Sequence, residues 1–178
     1  MKQTNENKIK INKKKPSSLI SSGLYLVDLD HTRITLLIKR IIDLIHQKKS
    51  IHLIKRLAKC LESALNLHFL HEETIMKSVN YPKIKNHRVI HMEALENYRN
   101  FTYAINKYSC FKNLEDRFTR ILTWLEFHIL HEDMQFKPFV TKNKTAEKIS
   151  QNFYLKMQNN NEMNQINKIC SAINKRKK

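Results

Sequence analysis

The stretch from Leu67 to Met92 limits most strongly what this chain can become. It holds His68 with Glu72 and, further on, His87 with His91, both pairs spaced i, i+4. That spacing puts the two side chains of a pair on one face of a helix. Between the pairs stands Asn80-Tyr81-Pro82. Proline is poorly tolerated inside a helix and biases its predecessor away from helical backbone. The segment therefore predicts two antiparallel helices joined by a short turn, each offering two ligand-type side chains. Imidazole plus carboxylate suits a borderline-hard transition metal such as iron, manganese or zinc.

The rest of the chain repeats this pattern. A first stripe runs His31, Ile34, Leu37/Ile38, Ile41/Ile42 and Ile45, and a second runs Ile54, Leu57, Leu61, Leu65, His68, Glu72 and Ile75. After Pro82 come Ile84, His87, His91, Leu95, Tyr98, Phe101 and Ile105, then Leu114, Phe118, Ile121, Trp124/Leu125 and His128. In each stripe the histidines occupy places that apolar residues would otherwise take. Asp28 or Asp30 suits the N-cap of the first helix and Ser50 that of the second. Turns are expected at Lys48–Ser50 and Ser109–Asn113, and the fourth helix is expected to end before Pro138. One glycine and three prolines leave little punctuation for a many-stranded sheet. The fold class is all-α, an up-down-up-down four-helix bundle.

Spacing strengthens this reading. His31 and His68 are 37 residues apart, and so are His91 and His128. The midpoints fall at Lys49/Ser50 and Ser109/Cys110, inside the expected turns. Each histidine of a hairpin then lies equally far from its bend, about 27 Å along the axis. All four helices deliver ligands to one layer.

An acid beside His128 should complete that layer, and His131, Glu132 and Asp133 are the side chains within reach. A regular helix favours Glu132, four residues on. Asp133 is rotated roughly 140° away from His128 and faces inward only through a π-bulge or a loosened last turn. His46 and His52 flank the first turn and are expected in solvent; His71 and His131 are expected to be solvated or to support the ligands from outside.

The net charge of +17 belongs mostly to the ends. Residues 1–18 hold six lysines against one glutamate, and residues 141–178 hold nine Lys/Arg against two glutamates. The expected organisation is a basic disordered tail at 1–18, the bundle at 19–140, and a basic extension at 141–178 with loose helical periodicity over 145–170. Residues 19–140 contain every candidate ligand and are expected to suffice for folding. The lysine-rich ends suit weak polyanion binding. Cys60, Cys110 and Cys170 are spread too widely for a zinc ribbon or a disulfide framework. The amino-terminal residues lack the apolar core of a signal peptide, and charges interrupt the most apolar stretch, so no membrane span and a cytoplasmic setting are expected.

These motifs resemble the hemerythrin family. Asp28 and His31 are similar to its Asp-x-x-His opening, and His68 to Glu73 to its His-Phe-x-x-Glu-Glu. Tyr81-Pro82 with His87 and His91 resembles its Tyr-Pro…His-x-x-x-His segment, and Trp124 to Asp133 its Trp-x-x-x-His-Ile-x-x-x-Asp. The likeness covers about residues 22–138, and its long hairpins look like those of the bacterial members. Asp30 departs from the pattern, where glutamine is usual. The resemblance implies two non-haem irons. His87, His91 and His128 would bind one, and His31 and His68 the other. Glu72 and Asp133 would bridge them together with an oxo or hydroxo group. It thus favours Asp133 over Glu132. Phe69 and Trp124 would help to enclose an apolar pocket for dioxygen.

The implied function is reversible dioxygen binding for carriage, storage or delivery, and not an enzyme. The alternatives are an oxygen- or redox-sensing or iron-handling module, and a di-iron oxidase or peroxidase. Ferritin-like di-iron enzymes are rich in glutamate with Glu-x-x-His pairs, and the ligand set here is rich in histidine.

Overall fold

The computed structural model describes residues 21–107 and 112–158, with the single positions 164 and 168. These residues form helices and no strand. They are α1 (Tyr25–His46), α2 (Ile51–Ser78), α3 (Ile84–Lys107) and α4 (Lys112–His128), then a π-helical turn (Ile129–Asp133), α5 (Met134–Val140) and α6 (Lys144–Gln158). The expected tail at 1–18 and most of the turn expected at Ser109–Asn113 lie outside the described residues.

Helix ends often need one residue in left-handed backbone, and this chain has one glycine to offer. Lys48 (φ 50°), Asn80 (φ 52°) and Lys142 (φ 60°) take that place after α1, α2 and α5. The Lys49 N–H then donates to the Leu44 carbonyl, and the Tyr81 N–H to the Met76 carbonyl. These bonds satisfy carbonyls that the last helical turn leaves free. Gly23, at φ 93°, precedes α1 where an added Cβ would meet Thr141 Oγ1 at 3.1 Å.

Three local expectations change. Neither Asp28 nor Asp30 caps α1, whose N-cap position is Leu24. Asp28 lies in the first turn and accepts from the Ser22 N–H at 2.7 Å and the Ser21 hydroxyl at 2.6 Å, fastening the lead-in to the helix. Ser50 occupies the N-cap of α2 without a side-chain cap bond. Pro138 lies inside α5 and does not end it. It forfeits a single backbone bond there, and the helix stops two residues later.

Among the described residues, α1 packs on α2 and α4, α2 packs on α3, and α6 lies against α2 and α1. The apolar core divides in two. One cluster gathers Ile34, Leu37, Leu61, Leu65, Phe118 and Leu125; the other gathers Val27, Ile75, Tyr81, Phe136 and Val140. Along every long helix the candidate ligands fall between these clusters: His31 between Val27 and Ile34, Glu72 between Leu65 and Ile75, His128 between Leu125 and Phe136. A polar layer is thus sealed between two apolar plugs, whose burial from water is the main driving force of the fold. No helix among the described residues is long and apolar enough to cross a membrane.

Candidate metal centre

All seven expected ligand positions converge on that layer. His31, His68, Glu72, His87, His91, His128 and Asp133 are each at most 2% exposed. Their donor atoms form two overlapping groups: Glu72, His87, His91, His128 and Asp133, and His31, His68, Glu72 and Asp133. Within each group the atoms lie within 4.8 Å of one another. Glu72 and Asp133 belong to both.

Asp133 reaches the layer because the helix changes pitch. The Met134 N–H donates to the Ile129 carbonyl, five residues back, so one extra residue is accommodated in the turn. That brings Asp133 into phase with His128, to 3.0 Å between Oδ1 and Nε2. Glu132, which a regular helix would favour, sits at the surface beside Gln135. His131 is exposed and lies against Phe127.

The donor set fits a cation. Glu72 carboxylate oxygens lie 3.5–3.7 Å from Nε2 of His31, His68, His87 and His91. Asp133 approaches His31 at 3.2 Å and His87 at 3.5 Å. Yet both oxygens of Glu72 and of Asp133, and both nitrogens of His31 and His68, have no hydrogen-bond partner. Buried polar atoms without partners are costly. The carboxylate oxygens and one nitrogen of each ring, gathered within a few ångströms, are what metal ligation would satisfy. The two carboxylates make the layer strongly attractive to positive charge: burial pushes the His31 imidazole down, but Asp133 and Glu72 outweigh it and raise its pKa to about 10, so that without a cation a proton takes that place. Burial raises Glu72 and Asp133 too, and the surrounding histidines hold both below the ordinary carboxylate range. Burial drops His68 to about 4, keeping it neutral as a ligand must be.

The supporting residues were less visible in sequence. His91 Nδ1 pairs with Glu73 Oε1 at 3.1 Å, and Glu73 is held in turn by Arg88 at 2.9 Å. An outer carboxylate of this kind fixes the tautomer and orientation of a ligand histidine. Phe69 stacks on His91 with centroids 3.8 Å apart, and Trp124 stacks on His128 at 4.9 Å. Both aromatic residues therefore brace the three-histidine group.

His71, expected either in solvent or in support of the ligands, is 1% exposed. Its Nδ1 pairs with Asp30 Oδ2 at 2.9 Å and its Nε2 with Ser150 Oγ at 2.9 Å. Phe153 stacks on the ring at 4.6 Å. Burial would raise Asp30, but the bond and charge of His71 hold it below its usual range. This chain ties α1, α2 and α6 together, so α6 belongs to the packed molecule although it falls within the extension expected at 141–178. The signal for it was Asp30, the departure in the opening motif. His46 and His52 are exposed as expected, with His46 pairing to Glu115 at 2.6 Å.

A family model described as the hemerythrin HHE cation binding domain matches residues 22–140. No curated protein and no solved structure matches the chain.

Proposed function

The chain belongs to the hemerythrin family, and from that premise we propose that it binds dioxygen reversibly at a non-haem di-iron centre of the bacterial type. His87, His91 and His128 would hold one iron and His31 and His68 the other, with Glu72 and Asp133 shared. The four long helices run up, down, up and down in this reading. The observation that carries it is the pair of overlapping ligand groups that have both carboxylates, and nothing else, in common. Seven ligands exceed the usual capacity of one six-coordinate ion, and the two-histidine side has fewer of them. Iron there supplies the electron exchange with dioxygen that side chains cannot.

The protein's own residues bind, orient and exclude water. Two carboxylates offset cation charge in a low-dielectric layer, and neutral imidazoles complete the set without adding charge. Glu73 fixes His91, and Phe69 and Trp124 hold His91 and His128 against rotation. The clustered ligands include no third carboxylate to carry protons onward, which favours binding over turnover. Oxygen or redox sensing is the second reading. It is favoured by the bond between Asp30 and His71, the chain neighbours of His31 and Glu72, which fastens α6 through Ser150.

Elemental analysis of the iron-loaded protein should give two irons per chain. The reduced protein should gain a visible absorption band in air and lose it when oxygen is removed, over several cycles without added reductant. One metal per chain overturns the di-iron assignment. A band that deoxygenation does not reverse, or sustained substrate oxidation, overturns oxygen carriage.

A further inference from the structure

A second site lies beside the metal layer. Among the described residues, α3 and α4 pack less closely than α1 on α2 or α2 on α3, and a cavity of about 250 Å³ opens between them over α2. Its walls are apolar, with Leu65, Phe101 and Ile121 among them. Phe69 and Trp124 also line it, the same rings that stack on His91 and His128. One aromatic layer therefore separates the cavity from the three-histidine group.

Asn97 and two cations supply the polar part of the lining. Arg117 and Arg120 are exposed and stand at i, i+3 on α4, on the same side of the helix as Ile121 and Trp124. Arg117 is steadied over the Phe101 ring, 5.4 Å from its centroid. No carboxylate among the described residues forms an ion pair with either guanidinium. Elsewhere surface arginines do find acids: Arg88 pairs with Glu73 and Arg99 with Glu62. An apolar recess topped by two guanidinium groups that have no acidic partner among the described residues is complementary to an apolar body ending in a carboxylate.

We infer that this cavity binds a small amphipathic monocarboxylate, with its alkyl or aryl body against Phe69 and Trp124 and its carboxylate on Arg117 and Arg120. Size argues against larger ligands, because drug-sized molecules occupy pockets of roughly 300–1,000 Å³. Inorganic anions alone would leave the apolar walls unused, and neutral lipophiles would leave the arginines unused. Guanidinium groups also accept planar carboxylates through paired donors.

The chain has a single tryptophan, and it lines the cavity, so its fluorescence reports occupancy directly. The test titrates the full chain with octanoate, 1-octanol and inorganic phosphate, following Trp124 emission and heat of binding, with and without added metal. Octanoate should bind about tenfold tighter than octanol, as a charge-assisted contact to arginine requires. The double variant R117Q/R120Q, which changes only exposed side chains, should bring octanoate down to the octanol level and leave octanol unchanged. Equal binding of octanoate and octanol to the unaltered protein overturns the proposal, as does phosphate binding as tightly as octanoate. Absence of octanoate binding overturns it too. None of these outcomes depends on which metal the neighbouring layer holds.

Discussion

Two buried clusters of histidine and carboxylate lie one residue apart along the chain, and they are built to opposite rules. In one, His71 has a partner on each ring nitrogen, Asp30 and Ser150, both at 2.9 Å. In the other, ten buried nitrogen and oxygen atoms of His31, His68, Glu72, His87, His128 and Asp133 have none, though they crowd within a few ångströms. Residue types and burial are nearly the same. A satisfied cluster is a fastener, rigid and complete without help. An unsatisfied one costs stability, and a cation bound among the carboxylate oxygens and the Nε2 atoms would offset most of that cost. Hydrogen-bond completeness separates the two where composition cannot.

The sharpest way to break this contrast is at the shared acids. Asp133→Ala should lower metal affinity by more than the about 10–100-fold typical of an outer supporting residue, while Glu132→Ala leaves metal content intact. Elemental analysis and the absorption spectrum decide it, and equal losses in the two variants would refute the inward role of Asp133. The next effect belongs to the fastener. His71→Ala leaves Ser150 without its partner and Asp30 with Arg33 alone, which should cost about 2 kcal/mol of folding stability with bound metal nearly unchanged. Urea denaturation of the metal-free protein measures the first and elemental analysis the second. Metal loss as severe as in Asp133→Ala would mean that the two clusters act as one. Smallest is Ser150→Ala, at about 1 kcal/mol, read as faster proteolysis within α6 while the metal spectrum stays unchanged. Unchanged proteolysis would show that Ser150 does not hold the helix.

Much of the molecule can be read without its coordinates, for a specific reason. His31, His68, Glu72, His87, His91 and His128 stand on apolar stripes of helical period, and a polar residue on such a stripe needs an explanation. Asp133 breaks that period, so regular helix geometry pointed to Glu132 and only the motif resemblance pointed past it. His71 lies three residues after His68, at the edge of the same face, and its full burial depends on α6, which covers it. That helix was hard to foresee because its buried positions, Ala146 and Ser150, are small or polar. The caps failed for a similar local reason: Asp28 and Ser50 stand where caps are common, but Asp28 was claimed by Ser21 and Ser22. What tertiary contacts decide, local pattern does not announce.

The π-turn has a further consequence, which concerns length. Because one residue is absorbed between His128 and Asp133, everything beyond is shifted by a single position, and Phe136 and Val140 are fully buried in that shifted frame. The segment is thus one residue longer than a straight helix would need. Losing Leu130, which is 48% exposed, should straighten the helix and put Asp133 four residues after His128, with Asp133, Phe136 and Val140 still facing inward. Gaining a residue there would rotate all three out together. The fold therefore tolerates shortening at this point and not lengthening, an asymmetry that would bias which chain lengths can arise here by descent.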